Sequence, residues 1–157
     1  IVHFDAHTDL REDYLGVKLS HACVLRRCHE LTGDKRIAQF GIRSGLREEF
    51  AWGREHTLLH PFGFDGLEEA IEAFAGRPVY FTLDLDVLDP SVFPGTGTPE
   101  PGGVSFEQLR RAATLVCSRA DVVALDVNEL SPPYDQSGAS TAVACKIVRE
   151  MLLALKG

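Results

Sequence analysis

Short apolar runs alternate with amphipathic windows along most of this 157-residue chain. The apolar runs are rich in β-branched and aromatic residues, which is typical of strands, whereas the amphipathic windows have helical periodicity. The predicted strands are Ile1–Phe4, Arg36–Ile42, Leu58–Leu59, Pro78–Leu85 and Asp121–Val127, and the predicted helices are His21–Leu31, Leu46–His56, Asp65–Ala75, Ser105 to about Ser118, and Ala139–Leu155. This alternation predicts an α/β protein, with a mostly parallel sheet between two layers of helices.

Local signals refine several of these elements. Ser20 is a candidate N-cap for the first helix, and the spacings Asp65-x-x-Glu68 and Ser105-x-x-Gln108 predict capping boxes at two others. The strand Asp121–Val127 is apolar enough to be expected in the interior. The last helix carries an apolar stripe with a four-residue spacing, formed by Val143, Ile147, Met151 and Leu155.

Acidic residues stand where three predicted strands become loops. Asp5-Ala6-His7-Thr8-Asp9 follows the first strand, Asp84-Leu85-Asp86 ends the fourth, and Asp126-Val127-Asn128-Glu129 follows the fifth. In an extended segment, residues two apart point to the same side, so Asp5, His7 and Asp9 are expected to converge. Ligands of parallel α/β sheets bind at the carboxyl ends of the strands. The sequence therefore predicts a site where these acids meet.

Buried carboxylates need a neutralising cation. One divalent ion balances two of the four aspartates in the first two motifs, and two ions balance all four, so the charge favours a two-metal site. Mostly oxygen donors with a minority of imidazole suit Mn²⁺ better than structural Zn²⁺. A calcium loop is excluded, because nothing after Asp84-Leu85-Asp86 supplies its glycine and glutamate. The stretch Gly95-Thr96-Gly97-Thr98 is interpreted as a wall of the pocket rather than a phosphate loop.

Composition excludes several classes of partner. With 16 basic and 23 acidic residues the net charge is −7, which argues against nucleic acid and anionic membranes and permits a small cationic substrate. No apolar run approaches the roughly 18–20 residues of a membrane span, and no leader peptide is visible. The four scattered cysteines predict reduced, buried thiols and a cytoplasmic protein.

Several motifs together resemble the ureohydrolase family of arginases and agmatinases, in family order and over nearly the whole chain. They are Asp5-Ala6-His7-Thr8-Asp9, Ser20-His21, Leu83-Asp84-Leu85-Asp86-Val87-Leu88-Asp89-Pro90, Pro94-Gly95-Thr96-Gly97-Thr98-Pro99 and Asp126-Val127-Asn128-Glu129-Leu130-Ser131-Pro132. The resemblance implies an arginase-like fold, a centre of two Mn²⁺ ions, hydrolysis of a guanidinium group to urea and an amine, and a homo-oligomer, trimeric or hexameric.

The resemblance also implies roles for individual residues. Asp5 and Asp84 would bridge the two ions. Asp9 would complete the coordination of one ion and orient the attacking hydroxide, while His7 and Asp86 would complete the coordination of the other ion. His21 would carry a proton to the leaving amine, and Glu129 would hold the guanidinium group.

One family feature is absent from the sequence. The family's sixth ligand is a histidine in a Gly-Gly-Asp-His motif that precedes the Asp-x-His-x-Asp motif, and this chain has no such motif. The chain also opens inside a strand. We therefore expect residues 1–157 to form a single domain that is the carboxyl-terminal portion of a ureohydrolase domain.

The substrate indicated by the loops is agmatine. Leu10–Lys18 lacks the Ser/Asn-rich pattern of arginine-specific members, and Thr96–Gly103 is similar to agmatinases. Glu12, Asp13 and Glu100 are candidates for holding the amine tail, and guanidinobutyrate remains an alternative substrate.

Two other functions remain open. A single-zinc amide deacetylase of the arginase-like fold would use Asp5, His7 and Asp84. A catalytically incomplete subunit or fragment would bind metal without turnover.

Overall fold

The computed structural model describes residues 1–155, and its centre is a parallel sheet of five strands. The strands are β1 (Val2–Phe4), β2 (Ala38–Ile42), β3 (Leu58–Pro61), β4 (Pro78–Asp84) and β5 (Asp121–Asn128). Their order in the sheet is β3-β2-β1-β4-β5, and each adjacent pair is parallel. The predicted parallel sheet is thereby confirmed.

Five α-helices connect or follow these strands. They are α1 (Val24–Thr32), α2 (Arg47–His56), α3 (Leu67–Ala73), α4 (Phe106–Arg119) and α5 (Ala139–Ala154). Short 3₁₀ turns precede α1, follow β4 and precede α5. Of the helices within residues 1–155, none combines the length and apolar character needed to cross a bilayer.

The helices cover both faces of the sheet. The larger apolar cluster joins one face of β1, β2 and β4 to α3, α4 and α5, with Phe4, Phe81 and Ile147 fully buried in it. A smaller cluster lies under α1 and α2 and includes Leu25 and Ile37. Two separate cores on the two faces make this a three-layer α/β/α architecture, as predicted.

The strand order places a topological switch point beside β1. From β1 the chain continues outward through β2 and β3, then returns to the other side of β1 with β4 and β5. The crevice at the carboxyl ends of β1 and β4 is therefore the expected ligand site of this fold. Phe4 pairs with Leu83, so Asp5, which follows β1, and Asp84, the last residue of β4, lie side by side at the ends of these strands.

Some local predictions are confirmed and others are wrong. The capping box at α4 forms: Ser105 Oγ accepts the Gln108 amide, and the Gln108 side chain accepts the Ser105 amide. Ser20 makes no side-chain cap, because its hydroxyl faces Cys23 Sγ at 3.7 Å. No capping box forms at Asp65, because Gly66, in the left-handed conformation, is the N-cap of α3.

Two burial predictions differ from what residues 1–155 show. Within this part of the chain β5 is the last strand of the sheet, with β4 on one side, and Val123 is 64% exposed. Apolar composition alone cannot distinguish such a position from the interior of a sheet. All four cysteines are unpaired, but only Cys23 and Cys117 are buried, and Cys145 is exposed on α5.

Candidate metal centre

A cavity of about 310 Å³ opens at the switch point of the sheet. Every residue predicted to bind metal, carry a proton or hold the guanidinium lines it, namely Asp5, His7, Asp9, His21, Asp84, Asp86 and Glu129. The three acids considered for the amine tail, Glu12, Asp13 and Glu100, are not among its lining residues. Thr98 lines it as well, so the Gly95–Thr98 stretch does contribute a wall. A larger depression of about 690 Å³ lies between α3 and α4, but its acids are spread over exposed helix faces and no histidine lines it. The side chains that can bind metal or transfer protons are therefore concentrated in the smaller cavity.

Asp5 is the centre of the cluster. Its side chain is 1% exposed and lies between two histidines. Asp5 Oδ2 is 3.0 Å from His3 Nε2, while Asp5 Oδ1 accepts the His7 amide at 2.7 Å and lies 3.3 Å from His7 Nδ1. Both carboxylate oxygens are therefore held in fixed directions.

Asp86 approaches Asp5 from the neighbouring strand. Its Oδ1 accepts the Ala6 amide at 3.2 Å, and its Oδ2 lies 3.2 Å from His7 Nδ1. That Oδ2 is fully buried yet has no hydrogen bond of good geometry among the described residues. Ligand atoms of Asp5, His7 and Asp86 all lie within 4.8 Å of one another, so these three could hold one ion.

Asp9 reaches the cluster by a different route from the predicted one. β1 ends at Phe4, and Asp9 has a φ of 54°, so the segment is not extended through Asp9. The turn nevertheless returns its carboxylate to Asp5, and ligand atoms of His3, Asp5 and Asp9 form a second group within 4.8 Å. The Asp9 carbonyl also accepts amides of Leu25 and Arg26, which fixes the start of α1 on this turn.

Asp84 lines the cavity but belongs to neither group of three. Its Oδ1 accepts a hydrogen bond from Asn128 Nδ2 at 3.2 Å. Asp126 is held away from the cluster by Thr82 Oγ1 at 2.8 Å and by Asn128 Nδ2 at 2.6 Å. Of the two aspartates at these strand ends, only Asp84 faces the cavity that Asp5 lines.

In the absence of a cation, burial and mutual repulsion disfavour ionisation of all the carboxyl groups in the cluster at once. Burial and the neighbouring Asp5 charge raise the pKa of Asp9 to about 8, of Asp84 to about 6 and of Asp86 to about 7. Burial opposes the charge of Asp5 too, but hydrogen bonds from His3 and His7 outweigh it and lower the pKa of that carboxyl. Although burial disfavours a charged imidazole, Asp5 and Asp86 raise the pKa of His7 to about 11.

Protons and divalent cations compete for such a cluster, because either one relieves the repulsion between the carboxylates. The buried Asp86 oxygen that lacks a hydrogen bond among the described residues, and the two groups that share Asp5, fit metal binding. The donors are mainly oxygen with imidazole as the minority, which suits Mn²⁺.

His21 and Glu129 occupy the walls rather than the metal-binding groups. His21 opens the 3₁₀ turn before α1, is exposed, and contacts the Tyr14 ring at 5.4 Å. Glu129 has a φ of 67°, an uncommon conformation for a residue other than glycine. Both side chains are accessible from the cavity, as groups that touch a substrate must be.

Two supporting side chains were not predicted from the sequence. Buried His3 continues the spacing of two that joins Asp5, His7 and Asp9, and that spacing could have indicated it. Gln39 Nε2 contacts His3 Nδ1 at 3.2 Å and donates to the Thr8 carbonyl at 2.8 Å. No local signal marks Gln39, because its role depends on the pairing of β1 with β2.

A buried acid fixes the turn that carries Asp9. Glu49, on α2, accepts hydrogen bonds from Thr8 Oγ1 at 2.6 Å, the Leu10 amide at 3.1 Å and the Leu46 amide at 2.8 Å. It therefore joins the start of α2 to the loop that follows His7.

Arg43 fixes the loop that carries Asp86. Its guanidinium donates to the carbonyls of Asp86 at 2.8 Å, Val87 at 3.2 Å and Leu88 at 3.3 Å. It also donates to the Glu100 carbonyl at 2.7 Å. One planar cation thus ties the end of β4 and the long following loop to the end of β2.

Replacing Arg43 by Lys should loosen this end of β4. One ammonium group cannot reach all these carbonyls, so the free energy of unfolding should fall by about 2–4 kcal/mol. Mn²⁺ affinity should fall as well, because Asp86 loses its fixed position. Urea denaturation and Mn²⁺ titration measure the two effects.

Arg110→Lys is the matched control for that substitution. Among the described residues the Arg110 guanidinium bonds to Glu107 on the same helix, α4, so its replacement should change stability by less than about 0.5 kcal/mol. Equal effects of the two substitutions would refute the role of Arg43.

Fold, cavity and carboxylate cluster together define an α/β protein with a candidate metal site at the switch point of a parallel sheet. The Arginase family matches residues 1–154, and the chain belongs to this family. The fold predicted from the motif resemblance is therefore confirmed.

Individual relatives agree with this assignment. The chain is 46% identical to the agmatinase of Bacillus subtilis (strain 168), an alignment that covers 98% of this chain and 54% of the relative. It is 34% identical to the guanidinobutyrase of Pseudomonas aeruginosa, over 100% of this chain and 53% of that protein. The chain spans about half the length of the curated relatives it matches.

Solved structures share the same architecture. A provisionally named agmatinase from Clostridium difficile superposes with a TM-score of 0.93 at 49% identity, covering 98% of this chain and 57% of the other. The agmatine ureohydrolase of Thermoplasma volcanium has a TM-score of 0.84 at 35% identity, covering 98% and 54%.

Proposed function

We propose that this chain carries the metal centre of a ureohydrolase that converts agmatine and water to putrescine and urea, with two Mn²⁺ ions. The observation that carries the proposal is the sharing of Asp5 between two groups of potential ligands, one with His7 and Asp86 and one with His3 and Asp9. A shared carboxylate is what a pair of neighbouring ions requires. Asp84, at the end of β4 beside Asp5, would be the second shared ligand.

The chain's own side chains supply the remaining chemistry. When bound, the paired ions would make water nucleophilic near neutral pH. Asp9 would orient that water and accept its proton. Glu129 would hold the planar guanidinium, for which a carboxylate is complementary in shape and charge. As the bond from carbon to oxygen forms and the bond from carbon to the alkyl nitrogen breaks, His21 would deliver a proton to the departing amine.

Agmatine is supported by charge and by the names of relatives. The net charge of −7 favours a cation, and the B. subtilis relative is named an agmatinase. Of the three acids considered for the amine tail, Glu12 already pairs with Lys18, Arg26 and Arg27.

The other two acids, Asp13 and Glu100, differ in their contacts. Asp13 accepts the Gly16 amide in a turn. Glu100 Oε1 accepts a hydrogen bond from Ser44 Oγ at 2.8 Å and lies 4.0 Å from His7 Nε2, so of these three acids it is the one paired with a residue of the cluster. Glu100 is therefore our candidate for contact with the amine tail.

Specific observations bear on the two alternative functions. A single-zinc deacetylase would leave Asp9 and Asp86 without a role, although both stand in ligand groups with Asp5. An incomplete subunit is favoured by the absence of the Gly-Gly-Asp-His motif and by the coverage of about half of each relative. The trimer or hexamer and the cytoplasmic location remain predictions.

The decisive experiment measures urea release from agmatine, arginine and guanidinobutyrate with added Mn²⁺, and counts bound metal per chain. Both the 157-residue chain and a fusion to the amino-terminal part of the B. subtilis agmatinase are assayed. Two ions per chain and urea from agmatine support the proposal. Metal binding with no urea from either form would favour the incomplete subunit, and one zinc ion with amide cleavage would favour the deacetylase.

Replacing His21 by Ala should separate proton transfer from metal binding. The substitution is made in the form of the protein that releases urea, either the 157-residue chain or the fusion. Its kcat should fall by about 10²–10⁴-fold, the usual contribution of a general acid. Bound Mn²⁺ should be unchanged, because His21 belongs to neither ligand group. Added imidazole should restore part of the rate. Loss of metal from this variant would make His21 a ligand instead.

A further inference from the structure

A second cluster of ligand-type side chains lies outside the cavity, where α1 and α2 end. His29 is in the last turn of α1, Asp34 is in the following loop, and His56 is the last residue of α2. His29 Nε2 and His56 Nδ1 each lie 2.7 Å from the same oxygen, Asp34 Oδ1. The three atoms are all within 4.8 Å of one another. Two imidazoles and a carboxylate thus converge on one point.

Backbone contacts hold the Asp34 loop on α2. The Lys35 amide donates to the His56 carbonyl at 2.7 Å. Lys35 Nζ donates to the carbonyls of Arg54 and Thr57, both at 2.9 Å. The Gly33 amide closes the end of α1 on the His29 carbonyl at 2.8 Å. The loop that carries Asp34 is therefore fixed relative to the ends of α1 and α2.

Trp52 fixes the two imidazole rings. His56 stacks on the indole with ring centres 4.4 Å apart, and His29 meets it edge-on at 4.6 Å. Arg26 covers the indole at 3.9 Å. His29 and His56 are only 19% and 25% exposed, whereas Asp34 is 65% exposed. The ring positions are thus set in advance, while the carboxylate side stays open to water.

This donor set suits zinc. Imidazole nitrogens with one carboxylate oxygen favour Zn²⁺ over Mn²⁺ or Mg²⁺, and water can complete the coordination on the open side. Each ring now directs a nitrogen at Asp34, and on metal binding its proton moves to the other ring nitrogen. For His56 that nitrogen lies 3.9 Å from Glu55 Oε2, a carboxylate that can receive the N–H.

We propose that His29, Asp34 and His56 bind one Zn²⁺ ion that links the ends of α1 and α2. This site is separate from the proposed catalytic centre, because none of its three residues lines the cavity of Asp5. The ion would join two helices on the same face of the sheet, where the apolar cluster is the smaller of the two.

Trp52 provides a local readout, because it is the chain's single tryptophan and touches both histidines. Cu²⁺, which takes the same donors and quenches indole emission, is titrated into the chain, and Zn²⁺ is then added as a competitor. We expect quenching that Zn²⁺ reverses. Asp34→Asn and His56→Gln should each raise the Cu²⁺ concentration for half-quenching by at least about tenfold.

Glu30→Gln is the matched control, because Glu30 is an acid beside His29 that pairs with Arg27 and not with the cluster. Its quenching curve should match that of the unaltered chain. Identical curves for Asp34→Asn and Glu30→Gln, or quenching that Zn²⁺ does not reverse, would overturn the proposal. If His56→Gln fails to fold by circular dichroism, the exposed loop variant Asp34→Asn decides alone.

Equilibrium dialysis in an Asp5→Asn background separates this site from the catalytic proposal. There the chain should still bind one Zn²⁺, and adding Asp34→Asn should abolish it. No zinc bound by Asp5→Asn would refute the surface site, whatever the urea assays give.

Discussion

Replacing Asp5 by Asn will remove Mn²⁺ binding at the switch point. Asp5 belongs to both ligand groups of the cavity, so one substitution weakens both metal positions. Loss of a partner that merely contacts a ligand costs about 10–100-fold in affinity, and loss of the shared ligand should cost at least about 100-fold. Urea release, in whichever form shows it, should disappear with the metal.

The thermal midpoint gives a second measurement for Asp5→Asn. At 100 times the Kd, bound Mn²⁺ should stabilise the unaltered chain by about 2.7 kcal/mol, which raises the midpoint of a domain this size by about 5–10 °C. The variant should show no such rise. Without metal it should be less stable than the unaltered chain, because buried His3 and partly buried His7 lose the carboxylate that they contact. Circular dichroism checks that the variant still folds.

Asp126→Asn is the matched control for Asp5→Asn. Asp126 is also an acid near a strand end, but Thr82 and Asn128 hold its carboxylate away from the cluster. The control should keep both the Mn²⁺ affinity and the thermal shift. Retained Mn²⁺ binding in Asp5→Asn would contradict the central role of Asp5.

Replacing Gly41 by Ala will disrupt the contact between β2 and the loop after β4. Gly41 has a φ of 84°, and an added Cβ would overlap Val87 Cγ2 and lie 3.1 Å from the Asp5 carbonyl oxygen. The positive φ costs about 1–2 kcal/mol and the overlap about 1–3 kcal/mol. The free energy of unfolding should therefore fall by about 2–5 kcal/mol, with weaker Mn²⁺ binding.

Gly76→Ala isolates the backbone part of this effect. Gly76 has a φ of 73° but no atom within 4 Å of an added Cβ, so this control should lose only about 1–2 kcal/mol and no Mn²⁺ affinity. Chemical denaturation and Mn²⁺ titration compare the two variants. Equal losses would show that the contact with Val87 contributes nothing.

The site shows where sequence reasoning stops. The two-residue spacing correctly predicted that the side chains of Asp5 and His7 converge, because both residues lie just after β1, where the local backbone sets the direction of each side chain. The same reasoning gave the wrong route for Asp9, since its φ of 54° turns the chain out of the extended conformation. Its carboxylate reaches Asp5 only because Glu49 and the start of α1 hold that turn.

The amino-acid sequence by itself determined the alternation of strands and helices, the acidic strand ends and the family. These depend on side-chain periodicity and on motifs of a few consecutive residues. Tertiary structure alone decided that Gln39 supports His3 and that Arg43 binds the carbonyls around Asp86. Gln39 lies 36 residues from His3, and Arg43 lies 43 residues from Asp86. Contacts at such separations arise from strand order, which no local pattern of residues encodes.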